Sequence, residues 1–347
     1  MTDRLTTIAA ILQKWARGEI PSEEAIAQLE PYELEDPRRL NAFGIDRDRL
    51  RTHLAERSRL FESVVGRPSL KRIDSKAFLP SLWLVWLPFA QNLARRRTDL
   101  GRPWIQGILG LQGTGKTTLT HILSGILAEL DLKVLCLSVD DLYKTYRDRQ
   151  QLQRQDPRLI WRGPPGTHDI DLGIAVLDRL RSPDDRTISV PRFDKSAYGG
   201  AGDRGEPEPV GAVDLVLFEG WFVGVRPIAP HHFDRAPWPI ETDADRQFAR
   251  DCNERLHAYL PLWDRLDLLT VLDPVDWQLS CQWRMQAERE MKARGRDGMS
   301  DDHIRAFVEY FWKALHPELF IPPLRSDRDR VDLILQIDRD RSYRAVY

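Results

Sequence analysis

The fold of this chain is decided by the stretch Trp104-Ile-Gln-Gly-Ile-Leu-Gly110-Leu-Gln-Gly-Thr-Gly115-Lys116-Thr117-Thr118. Its first half is an apolar run typical of a buried strand, and its second half matches the pattern Gly-x-x-x-x-Gly-Lys-Ser/Thr without a mismatch. A helical pattern of apolar residues follows as far as Leu130. A strand, a glycine-rich loop and a helix in this order predict a P-loop, which binds nucleotide phosphates at the start of the helix.

Each residue type of this loop has a chemical task. The glycines let backbone amides approach the phosphate oxygens. Lys116 is expected to reach the β- and γ-phosphates, which makes it a candidate catalytic residue, and the Thr117 hydroxyl is expected to bind Mg²⁺. ATP and Mg²⁺ are therefore the predicted cofactors. The predicted nucleotide-binding residues of the loop are Gly110, Gly113, Gly115, Lys116, Thr117 and Thr118.

The rest of the chain alternates between short apolar runs and helical patterns. The runs predicted as further strands are Lys133 to Val139, Thr187 to Pro191, Leu215 to Glu219, Leu268 to Leu272 and Val331 to Ile337. This alternation predicts an α/β protein of the P-loop NTPase type, three layers with a mainly parallel sheet. Residues 101–347 are predicted to form that domain, and the helical pattern before it predicts a helical N-terminal region over residues 1–100.

Composition argues against several classes of protein. The chain has 51 Lys and Arg against 53 Asp and Glu, which lacks the basic excess of a protein that binds nucleic acid through its phosphates. Three cysteines far apart in sequence predict neither a disulfide framework nor a Cys-x-x-Cys metal site. The most apolar stretch, Phe78 to Phe89, is too short to span a bilayer, and the segment from Ala77 to Ala90 is expected to be a helix buried against the core. We expect a cytoplasmic protein with no membrane anchor, no targeting segment and no nucleic-acid partner.

GTPases, ATPases and kinases all use P-loops, so the acidic residues have to discriminate between them. The guanine-reading Asn-Lys-x-Asp motif of GTPases is missing after the late strand, which reads Leu268-Leu-Thr-Val-Leu-Asp273-Pro-Val-Asp. The strand through Val139 ends in Asp140-Asp141, at the sheet edge that faces the nucleotide. We predict that Asp140 accepts the proton of an acceptor hydroxyl or holds Mg²⁺ through water, whereas Asp141 fits a helix N-cap better.

A second acidic residue, Glu219, ends the apolar strand Leu215-Val-Leu-Phe-Glu219. Opposite a P-loop, such a carboxylate would orient Mg²⁺ or its water shell, so Glu219 is a predicted catalytic and metal-binding residue. The alternative is a strand-end carboxylate of no special function.

Four further motifs occur in an order that resembles a known family. They are Ser138-Val-Asp-Asp-Leu-Tyr, Trp161-Arg-Gly-Pro-Pro-Gly-Thr-His168-Asp169, Pro191-Arg-Phe-Asp-Lys195-Ser-Ala-Tyr198-Gly-Gly-Ala-Gly-Asp203-Arg204 and Phe218-Glu-Gly-Trp221. With the P-loop, they resemble the plant-type D-glycerate 3-kinases of the uridine kinase, phosphoribulokinase and pantothenate kinase superfamily, over about Gly107 to Leu335. The resemblance implies ATP-dependent phosphorylation of D-glycerate to 3-phosphoglycerate, which closes photorespiratory carbon recovery. No transit segment like that of the plant enzymes is recognisable, so we expect a bacterial, cyanobacterial-type source.

A small anionic acceptor requires cations and hydrogen-bond donors, because a buried anion without partners is costly. Two loops supply such groups. The predicted acceptor-binding residues are Arg162, His168, Asp169, Arg192, Lys195, Tyr198 and Arg204. The alternatives are that the basic residues are solvated loop charges, and that His168 and Asp169 cap a helix beginning at Asp171.

A kinase also has to exclude water from the transferring phosphate, so a closing lid is expected over about residues 276–300. The resemblance to the superfamily implies lid arginines there, and we predict that Arg284 and Arg289 contact the nucleotide. Lys292, Arg294 and Arg296 are the other cations of this stretch. A solvated helix face is the alternative for each of them.

Two other functions remain open at this stage. One is a kinase of the same superfamily with another acceptor, such as a nucleoside, pantothenate or a sugar phosphate. The other is a P-loop ATPase or regulatory module whose long loops recognise a protein. No pattern in the sequence indicates an oligomeric state.

Overall fold

The protein is described here by a computed structural model that covers residues 2–65, 78–182, 186–293, 295 and 298–347. The α-helices are α1 (Thr2–Ala16), α2 (Glu23–Leu34), α3 (Pro37–Ala42), α4 (Leu50–Val65), α5 (Phe78–Ser81), α6 (Leu87–Leu100), α7 (Lys116–Ala128), α8 (Tyr146–Gln155), α9 (Ile170–Arg181), α10 (Asp243–Arg255), α11 (Leu260–Trp263), α12 (Leu279–Ala293), α13 (Asp301–Ala314) and α14 (Pro317–Ser326). A π-helical stretch, Leu82–Trp86, joins α5 to α6. Short 3-10 turns lie at Arg47–Arg49, Val139–Leu142, Tyr198–Gly200, Pro230–Arg235 and Leu256–Tyr259.

Six strands form the central sheet, and four short ones form two ribbons beside it. The strands are β1 (Trp104–Gly110), β2 (Val134–Ser138), β3 (Ile188–Val190), β4 (Phe193–Asp194), β5 (Asp203–Arg204), β6 (Glu208–Val210), β7 (Leu215–Gly220), β8 (Leu268–Pro274), β9 (Val331–Ile337) and β10 (Tyr343–Val346). The sheet order is β10-β9-β8-β1-β7-β2, and every neighbouring pair is parallel except β9 and β10. The predicted α/β class with a mainly parallel sheet is confirmed.

The strand that leads into the P-loop occupies the middle of the sheet, between β7 and β8. Its side chains alternate between the two faces, so Ile108 packs on one side and Ile105 and Leu109 on the other. Because β2, β7, β1 and β8 are all parallel, their carboxyl ends meet at one edge. Residues that follow these strands in sequence are thereby brought together in space.

One predicted strand lies elsewhere than the alternation of elements suggested. The run Thr187 to Pro191 does contain a strand, Ile188–Val190, but it pairs antiparallel with β6 in a separate ribbon and not with the parallel sheet. The strands β4, β5, β6 and β10 are too short to produce an apolar run, so the sequence did not predict them.

The two faces of the sheet carry two hydrophobic clusters. The N-terminal helices share one of them with α7, since Leu12, Leu54 and Trp83 belong to the same buried cluster as Leu119 and Ile122. Residues 78–90 of the expected buried helix are almost entirely enclosed, which confirms that prediction, and Ala77 lies outside the described residues. Among the helices described, none combines the length and apolar character needed to cross a membrane. The division into domains at residue 100 stays a prediction.

A closed ionic cluster lies within the N-terminal helices. Glu33 accepts hydrogen bonds from Arg57 at 2.8 Å, from Arg39 at 3.0 Å and from the indole of Trp83 at 3.2 Å. Burial raises the pKa of Glu33, but the two arginines outweigh it and hold the pKa below its usual value. The carboxylate is therefore ionised inside the core and depends on its partners.

A second polar network ties α6 to the amino end of the sheet. The amide nitrogen of Gln106 donates to Thr270 and to Asp332, both at 3.1 Å. Arg96 of α6 pairs with the same Asp332 at 2.9 Å. The central strand is thus anchored by hydrogen bonds at the end opposite to the P-loop.

Candidate active site

The P-loop turns between β1 and α7 with a backbone that requires glycine. Gly113 has φ +74° and Gly115, the N-cap of α7, has φ +90°, both in the left-handed region. A Cβ added to Gly113 would lie 2.6 Å from the Cβ of Trp283, so α12 packs directly against the loop. The Lys116 ammonium donates to the carbonyl of Leu111 at 3.0 Å, and desolvation lowers its pKa.

Glu219 lies beside the loop because β7 pairs with β1 in a register that sets Ile108 opposite Glu219. The hydroxyl of Thr117 donates to Glu219 Oε1 at 3.2 Å. Within the part of the chain that the structure describes, no group of three or more His, Cys, Asp or Glu could hold a metal by itself. Mg²⁺ usually binds through one or two carboxylates, waters and substrate phosphates, so Thr117 and Glu219 fit a Mg²⁺ ion that arrives with a nucleotide.

Two acidic residues follow β2 in the 3-10 turn Val139–Leu142, and they have different partners. Ser138 is the N-cap of this turn, and Asp141 closes a capping box by accepting from the Ser138 amide at 3.0 Å. The prediction that Asp141 is the N-cap is therefore wrong. The N-cap is Ser138, three positions earlier, and Asp141 occupies the N3 position of the capping box. Asp140 is not needed for capping and accepts from Lys195 at 2.6 Å.

The electrostatic neighbours of Asp140 explain its charge state. Burial raises its pKa, but the Lys195 ammonium and a hydrogen bond from the Tyr143 hydroxyl outweigh this effect and bring the pKa below its usual value. The negative charges of Glu219 and Asp140 both raise the pKa of Lys116, against the larger effect of burial. The three predicted catalytic residues thus lie in one electrostatic neighbourhood at the carboxyl edge of the sheet.

A glycine-rich hairpin carries part of the predicted acceptor-binding set. Its strands, β4 and β5, pair antiparallel, and the side chain of Lys195 reaches from it to Asp140. Tyr198 at its tip is 63% exposed and stacks on Tyr146 with ring centroids 4.2 Å apart. The hairpin therefore extends from the base of the site to solvent.

Two arginines from outside this hairpin, Arg162 and Arg149, donate hydrogen bonds to its backbone carbonyls. Arg162 donates to the carbonyls of Gly200 at 2.8 Å and Ala201 at 2.9 Å. Arg149 donates to Ala201 at 2.8 Å and also to Gly202. The two guanidinium groups line a cavity of about 360 Å³ with Trp161, Thr167 and neighbouring residues. The hydrogen bonds of both guanidinium groups go to carbonyls, although the carboxylate of Asp203 is near enough to raise the pKa of Arg149 against the larger, lowering effect of burial. Carbonyl partners can be shared with an anionic ligand.

Asp169 and Arg204 form a pair at the start of α9. Asp169 is the N-cap of this helix, which begins at Ile170, one residue earlier than expected, and it accepts from the Leu172 amide at 3.1 Å. Its other oxygen accepts from Arg204 at 2.5 Å. The capping alternative for Asp169 is thereby confirmed, and its role toward an acceptor stays a prediction.

Arg192 and two arginines of α12, Arg284 and Arg289, each pair with a carboxylate. Arg192 pairs with Asp141 at 3.0 Å and with Glu208 at 2.7 Å. Arg284 follows Trp283, which contacts the P-loop, and pairs with Glu288 at 3.0 Å. Arg289 pairs instead with an aspartate at the start of α13. Arg294 and Arg296 lie outside the described residues.

Several known proteins are similar to this chain over about two thirds of its length or more. No model of a protein family matches the chain. The chain is 35% identical over 254 residues to a chloroplastic D-glycerate 3-kinase of Arabidopsis thaliana, a match that covers 69% of this chain and 54%, about half, of the plant protein. It is 33% identical over 246 residues to an uncharacterized kinase of Schizosaccharomyces pombe, covering 67% of this chain and 87% of the yeast protein. The solved D-glycerate 3-kinase of Cryptococcus neoformans superposes with a TM-score of 0.66 at 30% identity, covering 74% of this chain and 94% of the fungal one.

The chain belongs to the D-glycerate 3-kinase family of P-loop kinases. Within this family fold, the structure also brings to the site residues that sequence reasoning missed. Arg149 lies in a helix that is polar at nearly every position, so no pattern distinguishes it. The hydroxyl oxygen of Tyr259 lies 2.7 Å from Nδ1 of His168, although 91 positions separate the two residues in sequence. Long-range polar contacts of this kind leave no local signal in a sequence.

Proposed function

We propose that the protein is a D-glycerate 3-kinase, which transfers the γ-phosphate of ATP to the 3-hydroxyl of D-glycerate and yields 3-phosphoglycerate and ADP. The observation that carries the proposal is the 30% identity to the Cryptococcus D-glycerate 3-kinase over 94% of that chain. It is supported by the neighbourhood of Asp140, Lys195 and the P-loop, which suits phosphoryl transfer to a hydroxyl.

The proposed roles of the P-loop residues follow from their placement. The amides of the loop and Lys116 would hold the β- and γ-phosphates. Thr117 and Glu219 would hold Mg²⁺ together with phosphate oxygens, and Mg²⁺ when bound supplies positive charge that balances the triphosphate. Arg284, at the root of the lid next to Gly113, would approach the nucleotide when the lid closes.

Asp140 would act on the acceptor. Its lowered pKa keeps the carboxylate ionised at neutral pH, so it can accept a hydrogen bond from the 3-hydroxyl. As the hydroxyl oxygen bonds to the γ-phosphorus, the bond to the bridging oxygen of ADP breaks and the hydroxyl proton moves to Asp140. Lys195 would exchange its contact with Asp140 for one with the acceptor.

The carboxylate of glycerate would bind the two arginines that contact the hairpin. Arg162 and Arg149 present guanidinium groups whose partners are carbonyls, and these can be shared with an incoming anion. Arg204 and Arg192 already have carboxylate partners and would contribute less.

The test is a panel of acceptors offered with ATP and Mg²⁺. D-glycerate, L-glycerate, uridine, pantothenate and ribulose 5-phosphate are compared by coupled release of ADP, and ³¹P NMR identifies the phosphorylated position. We expect D-glycerate to react fastest, with 3-phosphoglycerate as product. Faster phosphorylation of another acceptor would contradict the substrate and leave the kinase; ADP release without any phosphorylated acceptor would indicate an ATPase.

Two finer proposals accompany this function. Phosphorylation of glycerate would place the enzyme at the end of photorespiratory carbon recovery. Its free thiols, Cys136, Cys252 and Cys281, suit a reducing cytoplasm.

A further inference from the structure

The ring of His168 is enclosed beside the proposed base, yet one of its nitrogens lacks a partner. His168 is only 1% exposed, and its ring stacks on that of Tyr143 with centroids 4.6 Å apart. The centroid of the Phe222 ring lies 5.4 Å from that of His168. Its Nδ1 lies 2.7 Å from the hydroxyl oxygen of Tyr259. Its Nε2 is buried without a hydrogen-bond partner among the described residues.

The hydrogen bonds of Tyr259 decide which nitrogen carries the proton. The amide of Gly166 donates to the tyrosine oxygen at 2.9 Å. A hydroxyl has one proton to donate, and this oxygen already accepts. The Tyr259 hydroxyl therefore donates to Nδ1, because no other acceptor for its proton lies within reach among the described residues.

The charge state of the ring completes the assignment. Burial lowers the pKa of His168 to about 3, so the imidazole is neutral and holds a single ring proton. Burial also raises the pKa of Tyr259, which keeps its hydroxyl protonated. With Nδ1 as the acceptor, the single proton of the ring is on Nε2.

A buried donor without a partner destabilises a fold, so a fold retains one where a ligand supplies the partner. The ring of His168 stacks on Tyr143, whose hydroxyl helps to lower the pKa of Asp140. The negative charge of Asp140 raises the pKa of His168 against the larger, opposite effect of burial, so the two side chains lie in one neighbourhood.

We propose that Tyr259 is a positioning residue that fixes His168 as the Nε2–H tautomer, and that this N–H donates to an oxygen of the acceptor bound at Asp140. The inference rests on the proposed function for the acceptor site. It adds two residues to that site: His168, which contacts the acceptor, and Tyr259, which determines the nitrogen of His168 that carries the proton.

The experiment uses the full-length protein with ¹⁵N-labelled histidine and the variant Tyr259→Phe. The chain has eight histidines, and the variant His168→Asn identifies the signal of His168 by its loss. Ring ¹⁵N shifts distinguish a protonated from an unprotonated nitrogen. We expect Nε2–H alone in the wild type and a mixture of both tautomers in Tyr259→Phe.

Kinetics supply the second readout. We expect Tyr259→Phe to lower kcat/KM for D-glycerate by about five- to thirtyfold with the KM for ATP unchanged, the effect of one or two kcal/mol at the acceptor. The matched control is Tyr310→Phe, which removes another buried hydroxyl that donates to the carbonyl of Arg158 at 3.1 Å. A wild-type ring protonated on Nδ1, or equal kcat/KM for the two variants, overturns the inference.

The two proposals fail in different ways. If another acceptor reacts instead of D-glycerate, the proposed function is wrong, and the tautomer and the Tyr259→Phe effect are measured with that acceptor. If D-glycerate reacts but His168 carries its proton on Nδ1, only the inference is wrong.

Discussion

Two carboxylates paired with cations lie in different regions of this protein, one among the N-terminal helices and one at the carboxyl edge of the sheet. Glu33 and its partner Arg57 have side chains that are each 1% exposed. Asp140 and Lys195 have side chains that are 27% and 62% exposed. The N–O distances are nearly equal, 2.8 Å and 2.6 Å, so contact geometry does not separate the two pairs.

The difference lies in what surrounds each pair. Glu33 is enclosed by two arginines and an indole, and removing one partner from such a cluster leaves an uncompensated charge in the core. Asp140 can exchange Lys195 for water or for a substrate, so this pair adds little to stability. We call Glu33 with Arg57 the closed pair and Asp140 with Lys195 the open pair. We infer that the closed pair serves the fold and the open pair serves the reaction.

The largest effect is expected at the open pair, on activity. Asp140→Asn keeps the shape of the side chain but removes the proton acceptor, and kcat should fall by about 10²–10⁴-fold. ATP affinity and the melting temperature should stay close to those of the wild type. Coupled ADP release and calorimetric ATP binding measure the two quantities, with Asp171→Asn, an exposed carboxylate of α9, as the control. Unchanged turnover in Asp140→Asn would remove the proposed base.

The next effect is expected at the closed pair, on stability. Glu33→Gln leaves Arg57 and Arg39 without their carboxylate and should lower the free energy of unfolding by about 3–5 kcal/mol, measured by urea unfolding. The same helix provides a matched control, since Glu30 pairs with Arg51, whose side chain is 78% exposed. Glu30→Gln should cost less than about 1 kcal/mol. Equal losses in the two variants would contradict the role given to enclosure.

An intermediate case sharpens the comparison through pH. Asp332 is 5% exposed, and its partner Arg96 is 25% exposed. Burial raises the pKa of Asp332 to about 6, against 3.8 for an ordinary aspartate, despite the neighbouring Arg96. The folded state thus holds this proton more tightly than the unfolded chain, so the carboxyl favours folding at low pH and this contribution is lost as the pH rises through about 6.

Replacing the Asp332 carboxyl with an amide removes the free-energy cost of ionising a buried group. Asp332→Asn should gain stability relative to the wild type between pH 4 and pH 7, by up to about 3 kcal/mol at pH 7, and should match the wild type near pH 4. Melting temperatures at several pH values measure the difference, and the exposed Asp329→Asn is the control. A difference that stays constant with pH would show that Arg96 fully compensates the burial.

The smallest effect is expected from the cation of the open pair. Lys195→Met should change the free energy of unfolding by less than about 1 kcal/mol. It should raise the KM for D-glycerate by about tenfold, the effect of losing one charged contact to the acceptor. Lys313→Met, which breaks a lysine–aspartate pair of 2.7 Å remote from the site, should leave the KM unchanged.

Local patterns predicted much of this molecule. The apolar runs located the strands β1, β7 and β9 within a residue or two, because burial on both faces of a parallel sheet produces uninterrupted apolar sequence. The P-loop pattern predicted a glycine backbone, and Gly113 and Gly115 have the required positive φ. Parallel strand order then brought Glu219 and Asp140 to one edge, as the topology rule for such sheets predicts.

What the sequence could not reveal depends on contacts between distant polar groups. Glu33 and Trp83 are 50 positions apart, and Arg149 meets the hairpin 52 positions along the chain. Neither contact changes the local periodicity of apolar residues, on which sequence prediction depends. The run Thr187 to Pro191 shows the converse, since its apolar pattern was correct and its pairing partner was not.

The π-helical stretch Leu82–Trp86 allows one helix to serve two unrelated neighbours. In a regular α-helix, residues three positions apart project from nearly the same side. The wider π turn separates Trp83 from Trp86, so that the first indole bonds Glu33 at 3.2 Å and the second bonds the Tyr343 hydroxyl of the edge strand at 2.9 Å. Such a turn is equivalent to a one-residue insertion. Deleting a single residue here would restore α-helical phase and force the chain to give up one of these two indole contacts.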